Sequence, residues 1–501
     1  MKADRKMHIG SRKQLFIDER FIESQTDISL CMNPPVQHPD PVLVPDRPWE
    51  DMGIGAYNTV WREADGRFRI WYDALMISGL PQEGARRLGY AESEDGLNWE
   101  KPELGLLSFR GSKANNLVAP QLERQSMQGA CVFRDERAAA AERYKLWSKF
   151  QPTDDERAAG VASGLWAMHS EDGIHWQVYP DQPNPPATMC DTQNMFFWDD
   201  RLELYVGYTR VRETQRLDEA AEAGDRGRYR CVGRITSPDF RNWSDLEIAF
   251  EADAEDLAIP VPFQRDDPRP NIDFYTSCAM KYYEAQDVYL MFPSAYYHWG
   301  DNDFPATMDV QMLTSRDGID WQRAGDRKAF LQQGFDGSAT SAMLFANPWL
   351  IPVDHELWFY YVGTARHHGK LGADEDERAV SRKSGIFRAS LRKDGFISAD
   401  AGYGGGEFTT PALQFEGGQL ELNCDGGAGG WLKVEIQDAE GRVVAGYGLD
   451  EADAVLGNGI DKTVTWKGKS DVGQLAGEEV HLRLVMRDMK LYSFQFCEGE
   501  K

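Results

Sequence analysis

Acidic residues recur at one kind of place in this chain, just ahead of short apolar runs. Glu50 and Asp51 stand in WEDMGIGAYN (49–58), and Asp191 in MCDTQNMFFW (189–198). Asp273 stands in NIDFYTSCAMKY (271–282) and Asp336 in GFDGSATSAML (334–344), while Gln128 holds the matching point in the one segment without an acid. Two carboxylates held on either side of a glycosidic bond, one charged and one protonated, can cleave it through an oxocarbenium-like transition state. Aspartate also suits turns at strand ends, so each has a purely structural alternative. Tyr57, Asn58, Gln193, Tyr275 and Thr276 lie beside these acids and could bond sugar hydroxyls, or simply cap strand ends. His298 in SAYYHW, and Arg366, His367 and His368 in GTARHHG, follow later strands whose loops would line a site rim. Adjacent histidines on a strand point to opposite faces, so one metal cannot take both. No metal-ligand spacing occurs elsewhere, and no metal or cofactor is expected.

These residues need a frame, and the sequence supplies one by repetition. Four heptapeptides share one form: SEDGLNW (93–99), SEDGIHW (170–176), SPDFRNW (237–243) and SRDGIDW (315–321). A degraded fifth copy is SLRKDGF (390–396). Ser and Asp side chains bond backbone N–H groups two residues on, Gly takes a positive φ, and the Trp packs back between sheets. Their aspartates are therefore structural. Each heptapeptide closes a unit of strand-like segments, such as GAYNTVW, FRIWYDA and RRLGYAES in the first. Units of three clear strands plus an outer one are propeller blades. The fold expected is all-β: a five-bladed β-propeller over 46–400, followed by a C-terminal β-sandwich over 401–501. Residues 1–45 should pack on one or the other. The sandwich rests on period-2 alternation in LQFEGGQLELNC, GWLKVEIQDAEGRVV and EEVHLRLVMRDMKLYSFQF, after the Gly-rich break AGYGGGEF (401–408). Only TQRLDEAAEAGDR (214–226) and EADAEDLA (251–258) look helical, as excursions with solvated acidic faces.

Bulk properties narrow the partners. A net charge of −26 repels nucleic-acid backbones and anionic membranes. No apolar run reaches the roughly 20 residues of a membrane span. The first residues lack the apolar core of a secretory signal, which predicts a cytoplasmic chain. Seven scattered cysteines without a C-x-x-C pair read as buried thiols. The 15 Trp and 19 Tyr suit sugar stacking as well as sheet packing. A carbohydrate is the expected partner, and a homo-oligomer is compatible with the sequence.

The boxes, five units and C-terminal alternation resemble glycoside hydrolase family 32 and its relatives in families 43, 62, 68 and 117. The run ending LYSFQF resembles the closing strands of the family 32 sandwich. The resemblance implies three acidic residues at the funnel of the propeller. Asp51 matches the nucleophile or base by position only, with Glu50 beside it. Asp191 matches the aspartate that grips two hydroxyls and stabilises the transition state, although Cys190 and Thr192 replace the family's Arg and Pro. Asp273 matches the general acid, although it is Asp where the family has Glu. As acid it would need a raised pKa, and Glu251 or Glu255 could take the role instead. Relatives in family 43 hold an ion in the tunnel, so a structural ion is compatible. The expected activity is hydrolysis of a terminal, furanosidic, fructosyl- or arabinosyl-like sugar. The rivals are a non-catalytic carbohydrate-binding propeller, a transglycosylase, a protein-interaction propeller, and a phosphorylase whose phosphate pocket would use Arg210, Arg269 and Arg366.

Overall fold

The computed structural model describes residues 7–75, 86–118, 127–150, 152–161, 163–180, 184–185, 191–211, 230–258, 272–298, 306–368 and 375–499, with side chains from 379 onward in the last span. The helix expected at 214–226 and Arg269 lie outside them. Each of the first three units folds as a four-stranded antiparallel meander. The first unit uses Thr59–Arg62, Phe68–Leu75, Arg86–Ser93 and Leu117–Val118. The second uses Cys131–Arg134, Tyr144–Phe150, Gly164–Ser170 and Gln177–Val178. The third uses Met195–Asp199, Leu204–Val211, Cys231–Ser237 and Glu247–Phe250. The fourth is shorter, with Ala279–Lys281, Tyr289–Met291, Leu313–Ser315 and Gln322–Arg323.

A propeller arrangement results, with four self-contained four-stranded sheets where five were expected. The last unit belongs to an eight-stranded sheet instead. Its strands Met343–Ala346, Glu356–Thr364 and Ser384–Arg392 pair in succession, and the N-terminal strand Val36–Leu43 adds to Ser384–Arg392. The other side of this sheet is Ile272–Phe274, Ser294–Tyr297 and Thr307–Val310, linked by a short parallel contact at Met308 and Met343. Pro293 explains the merger. It has no N–H to give the ladder, so the fourth unit's second strand breaks after Met291 and resumes at Ser294 in a different sheet.

The four boxes form the same turn. In each, the serine hydroxyl donates to the aspartate, as Ser170 does to Asp172 at 3.0 Å. The aspartate Oδ1 then accepts two backbone N–H groups, for Asp172 those of Ile174 and His175 at 2.8 Å each. These bonds hold the carboxyls below the ordinary range against burial, Asp239 at about 2. Gly96, Gly173 and Gly318 take φ of 71–75°, where a side chain would be strained.

Each turn meets an aromatic residue of the preceding unit. Trp71 donates to the Gly173 carbonyl at 2.6 Å, Tyr208 to Gly318 at 2.6 Å, and Tyr360 of the last unit to Gly96 at 2.8 Å. Where Phe240 replaces glycine, Trp147 stacks on it with centroids 5.7 Å apart. In the degraded fifth copy, Tyr282 donates to Asp394 at 2.8 Å. Box tryptophans pack the same way, Trp243 against Trp147 and Trp321 against Tyr208.

The C-terminal region is one hydrogen-bonded sheet of eleven strands. Its long strands Gln419–Asp438 and Val480–Cys497 pair antiparallel, with register shifts between Asn423 and Cys424 and between Gly426 and Trp431. Alternate residues such as Leu420, Leu422, Leu432, Val434, Leu482 and Leu484 bury a separate core. The N-terminal strands Met7–Gly10, Gln14–Leu15, Ser24–Thr26 and Ile28–Met32 join this sheet. The six described cysteines are free thiols. No helix among the described residues is long and apolar enough to cross a membrane. The 251–258 segment keeps a short helix, Ala254–Ala258, but its face is not wholly solvated, since Asp256 is buried against Arg323 and Arg327.

Replacing Asp172 with Ala removes acceptors for two backbone N–H groups. It should lower stability by about 1–2 kcal/mol, read as a shift in urea midpoint without a change in slope.

Candidate functional site

The starts of the inner strands meet, and most of their polar side chains bond to backbone. Gln193 donates to the carbonyls of Asn58 (3.0 Å) and Ala130 (2.9 Å), tying the third unit to the first two. Gln128 donates to the Asp191 carbonyl at 2.9 Å, and Thr192 to that of Tyr275 at 3.2 Å. Asn58 bonds the Gly55 carbonyl and the Asp73 N–H. Thr276 donates to Ser294 at 2.9 Å. Among the residues expected to hold sugar hydroxyls, Asn58, Gln128 and Gln193 thus lace the units together.

The charged residues form three Arg–Asp pairs around a phenol–imidazole cluster. Arg86 pairs with Asp73, Arg210 with Asp191, and Arg230 with Asp273. Arg210 and Arg230 lie over the Tyr275 ring at 5.0 and 4.9 Å. Arg86 lies over Tyr57 at 5.6 Å. The Tyr57 hydroxyl donates to the Asp191 carbonyl at 3.2 Å. His368 bridges two phenols, with Nε2 3.2 Å from the Tyr275 hydroxyl and Nδ1 3.1 Å from that of Tyr296. His298 reaches Asp273 at 3.3 Å and packs its ring 4.2 Å from that of Tyr296.

This environment sets the protonation states. Burial, then Arg230 and Arg366, pull His368 down to about 3, so its imidazole is neutral and can accept from one tyrosine while donating to the other. Tyr57 and Tyr275 titrate as a pair. Burial and its partner push Tyr57 up. Burial works the same way on Tyr275, but Arg210 and Arg230, with Tyr57 and Arg86, outweigh it and hold this phenol below its usual value. Asp73 is held above the ordinary carboxyl range by burial, which Arg86 and Arg366 only partly offset.

Asp273 does not have the state expected of a general acid. Burial pushes its carboxyl up, yet Arg230 and His298 more than cancel this and leave it below the ordinary range. It is a buried counter-ion. Glu50 is likewise turned inward. Its oxygens accept the N–H groups of Asp46 and Arg47, the Tyr72 hydroxyl and the Lys101 ammonium. Asp51, half-buried, ends the short turn Pro48–Glu50 beside it. Asp336 is exposed in a loop next to Phe335. Glu255 is exposed on Arg327, whereas Glu251, with Asp273, adds to the burial that raises the Cys231 thiol.

A cavity of about 200 Å³ lies at this meeting point. Its polar wall is Tyr57, Tyr275, His368, Arg86, Arg366, Thr364 and Ser381, and its apolar wall includes Met52, Ile54, Met343 and Phe345. That is room for one ring-sized group, below the range of drug-sized sites. No carboxylate among the described residues lines it. No group of three or more potential metal ligands occurs among the described residues.

No known family model matches the chain, and no curated protein matches it. Solved structures do. One is an N-acetylgalactosamine deacetylase from F. plautii in complex with blood group B trisaccharide, 13% identical over 72% of this chain and 95% of that one, with a TM-score of 0.44. Another is an α-L-arabinofuranosidase mutant from Fusarium graminearum bound to an iminosugar inhibitor, at 10% identity, 72% and 98% coverage and a TM-score of 0.42. A third comes from the GH130 family of mannoside phosphorylases, described as containing glycoside hydrolases that target β-1,2 mannosidic linkages in Candida mannan. It is 14% identical, with 78% and 99% coverage and a TM-score of 0.43. Likeness at this level assigns no activity to the chain.

Asp73, Arg86, Arg230 and Tyr296 join the cluster without having been singled out from sequence. The available signal was charge in an apolar context: Asp73 interrupts FRIWYDAL, whose other residues from Ile70 on are apolar or aromatic and buried.

Replacing Asp273 with Asn leaves Arg230 and His298 buried without their anion and should cost about 3–5 kcal/mol, measured by urea unfolding. The native contribution is present above the ordinary aspartate range and fades as pH falls through the lower folded value. Wild type and variant should therefore converge in stability at strongly acid pH.

Proposed function

We propose that this chain cleaves a terminal glycosidic bond. The carrying observation is the small cavity where guanidinium, phenol and imidazole groups converge, with Tyr57 on its wall donating to the backbone carbonyl of Asp191. Asp191 is 34% exposed, whereas Asp73 and Asp273 are closed off, so it is the carboxylate of the three that a sugar can reach. In this reading Asp191 is the nucleophile or base, paired with Arg210. Tyr275 is the proton donor, because it lines the cavity and three arginines, Arg210, Arg230 and Arg86, make its phenol easier to ionise. His368, neutral, holds the Tyr275 hydroxyl in place. Asp73 and Asp273 position Arg86 and Arg230.

Two finer readings go with it. The strands Met343–Ala346, Glu356–Thr364, Ser384–Arg392 and Val36–Leu43 form a meander that supports counting a fifth blade, and the contact of Tyr360 with Gly96 supports a closed ring of five. The bulges in the two long C-terminal strands support a sheet folded over itself as a sandwich. A furanosidic substrate rests on the resemblance to families 32 and 43 alone.

Sugar binding without turnover is the second reading. It is favoured by the absence of a lining carboxylate among the described residues. A panel of aryl furanosides and pyranosides with sucrose and short fructans decides between them. Turnover should appear in the native chain and fall about 10²–10⁴-fold in both Asp191→Asn and Tyr275→Phe. Activity should also decline as pH rises through the Tyr275 ionisation, because the donor must carry its proton. Glycan binding with no turnover on any substrate selects the second reading.

A further inference from the structure

Three of the four arginines at the cavity have a carboxylate, and the fourth does not. Asp73, Asp191 and Asp273 serve Arg86, Arg210 and Arg230. Arg366 makes no ion pair within 4.0 Å among the described residues, and its Nη1 is buried with no hydrogen-bond partner. Its backbone N–H donates to the Thr364 hydroxyl at 3.0 Å. Arg366 and Arg86 both line the cavity, as do Tyr57 and Tyr275. Burial first, then the like charge of Arg86, work against the charged form of Arg366. Guanidinium does not deprotonate in proteins, so the charge stays, with no counter-ion for it among the described residues.

The counting is simple. Among the described residues, Arg86, Arg210, Arg230 and Arg366 stand with three carboxylates, which leaves Arg366, on the cavity wall beside Arg86, without a counter-ion. The surplus stands against a whole-chain charge of −26, so it is a local inversion and not a general basic character. A neutral sugar supplies only hydroxyls and leaves the charge uncompensated. An oxyanion supplies both charge and acceptors in the fork geometry that arginine fits.

We propose that Arg366 and Arg86, with the hydroxyls of Tyr57 and Tyr275, form an oxyanion subsite in this cavity. The inference rests on the glycosidic-bond reading of the same site and narrows it. The anion is either an acidic group carried by the sugar, such as a uronic carboxylate, or free inorganic phosphate taken up beside it.

The experiment uses matched aryl glycosides, glucuronide against glucoside and galacturonide against galactoside, with and without inorganic phosphate. A sugar-borne anion gives the uronide an advantage of about ten- to a hundredfold in kcat/KM, the worth of a charge-assisted pair. That ratio should collapse in Arg366→Gln and be partly kept in Arg366→Lys, which preserves the charge. Free phosphate gives instead turnover of neutral glycosides that rises with phosphate and releases sugar phosphate, lost in Arg366→Gln. Equal turnover of acidic and neutral glycosides with no response to phosphate overturns the subsite and leaves the glycosidase reading standing. If no glycoside turns over, calorimetry with glucuronate and with phosphate separates the two claims. Binding by the folded wild type that disappears in Arg366→Gln keeps the subsite and removes the catalytic reading, whereas no binding of either anion removes both. Thermal unfolding of the variants confirms that they remain folded.

Discussion

The turn that closes each repeat unit, and the aromatic residue that reaches it from the unit before, hold this molecule in its shape. The turn is self-made. Serine and aspartate satisfy its N–H groups and a left-handed glycine lets the chain reverse. What it exposes is a carbonyl, and Trp71, Tyr208 and Tyr360 each spend their one polar hydrogen on it. A large ring is thereby buried with its polar atom satisfied, which makes the contact both strong and specific in direction. Because each unit holds the next, the inner strand starts are brought to a common point.

That common point is costly. It gathers four arginines, three aspartates and several phenols, most of them buried, where charge is tolerated only in good pairs. Backbone bonding by Gln193, Gln128, Thr192 and Asn58 ties the strand starts into a rigid floor. Residues held this tightly can keep charged groups at fixed distances without collapse. Apolar packing of the same volume would be more stable, so the retention of so many polar groups is an argument for chemistry rather than for folding.

Sequence reading was strongest where the physics is local. The box turns are legible because serine and aspartate act on N–H groups two or three residues away, and the alternation near the C-terminus follows from strand geometry. Phe240 shows the same logic under substitution, since the turn survives there by trading a hydrogen bond for a stacked ring. The site was legible only in part. Asp191 and Tyr275 stand where strand starts were expected to converge. Asp273 was assigned by position, but Arg230, 43 residues earlier, decides its charge. Glu50 faces inward because Lys101, 51 residues later, completes its shell. Partners so distant leave no periodic trace in a single chain. The five separate blades failed for a local reason, a proline that diverts one strand into its neighbour's sheet.

The pairing of Val36–Leu43 with Ser384–Arg392, and of the strands before it with the C-terminal sheet, sets an order in time. During synthesis, residues 7–43 emerge before every strand they will pair with. At roughly 5–20 residues per second on the ribosome, those partners arrive on the order of tens of seconds later. During that interval the first units can assemble, but the ring has an open seam with bare strand edges. The sheets therefore seal only once the residues from 384 onward have been made, and a chain cut short before the last unit is left with an unsealed edge that invites association with other chains.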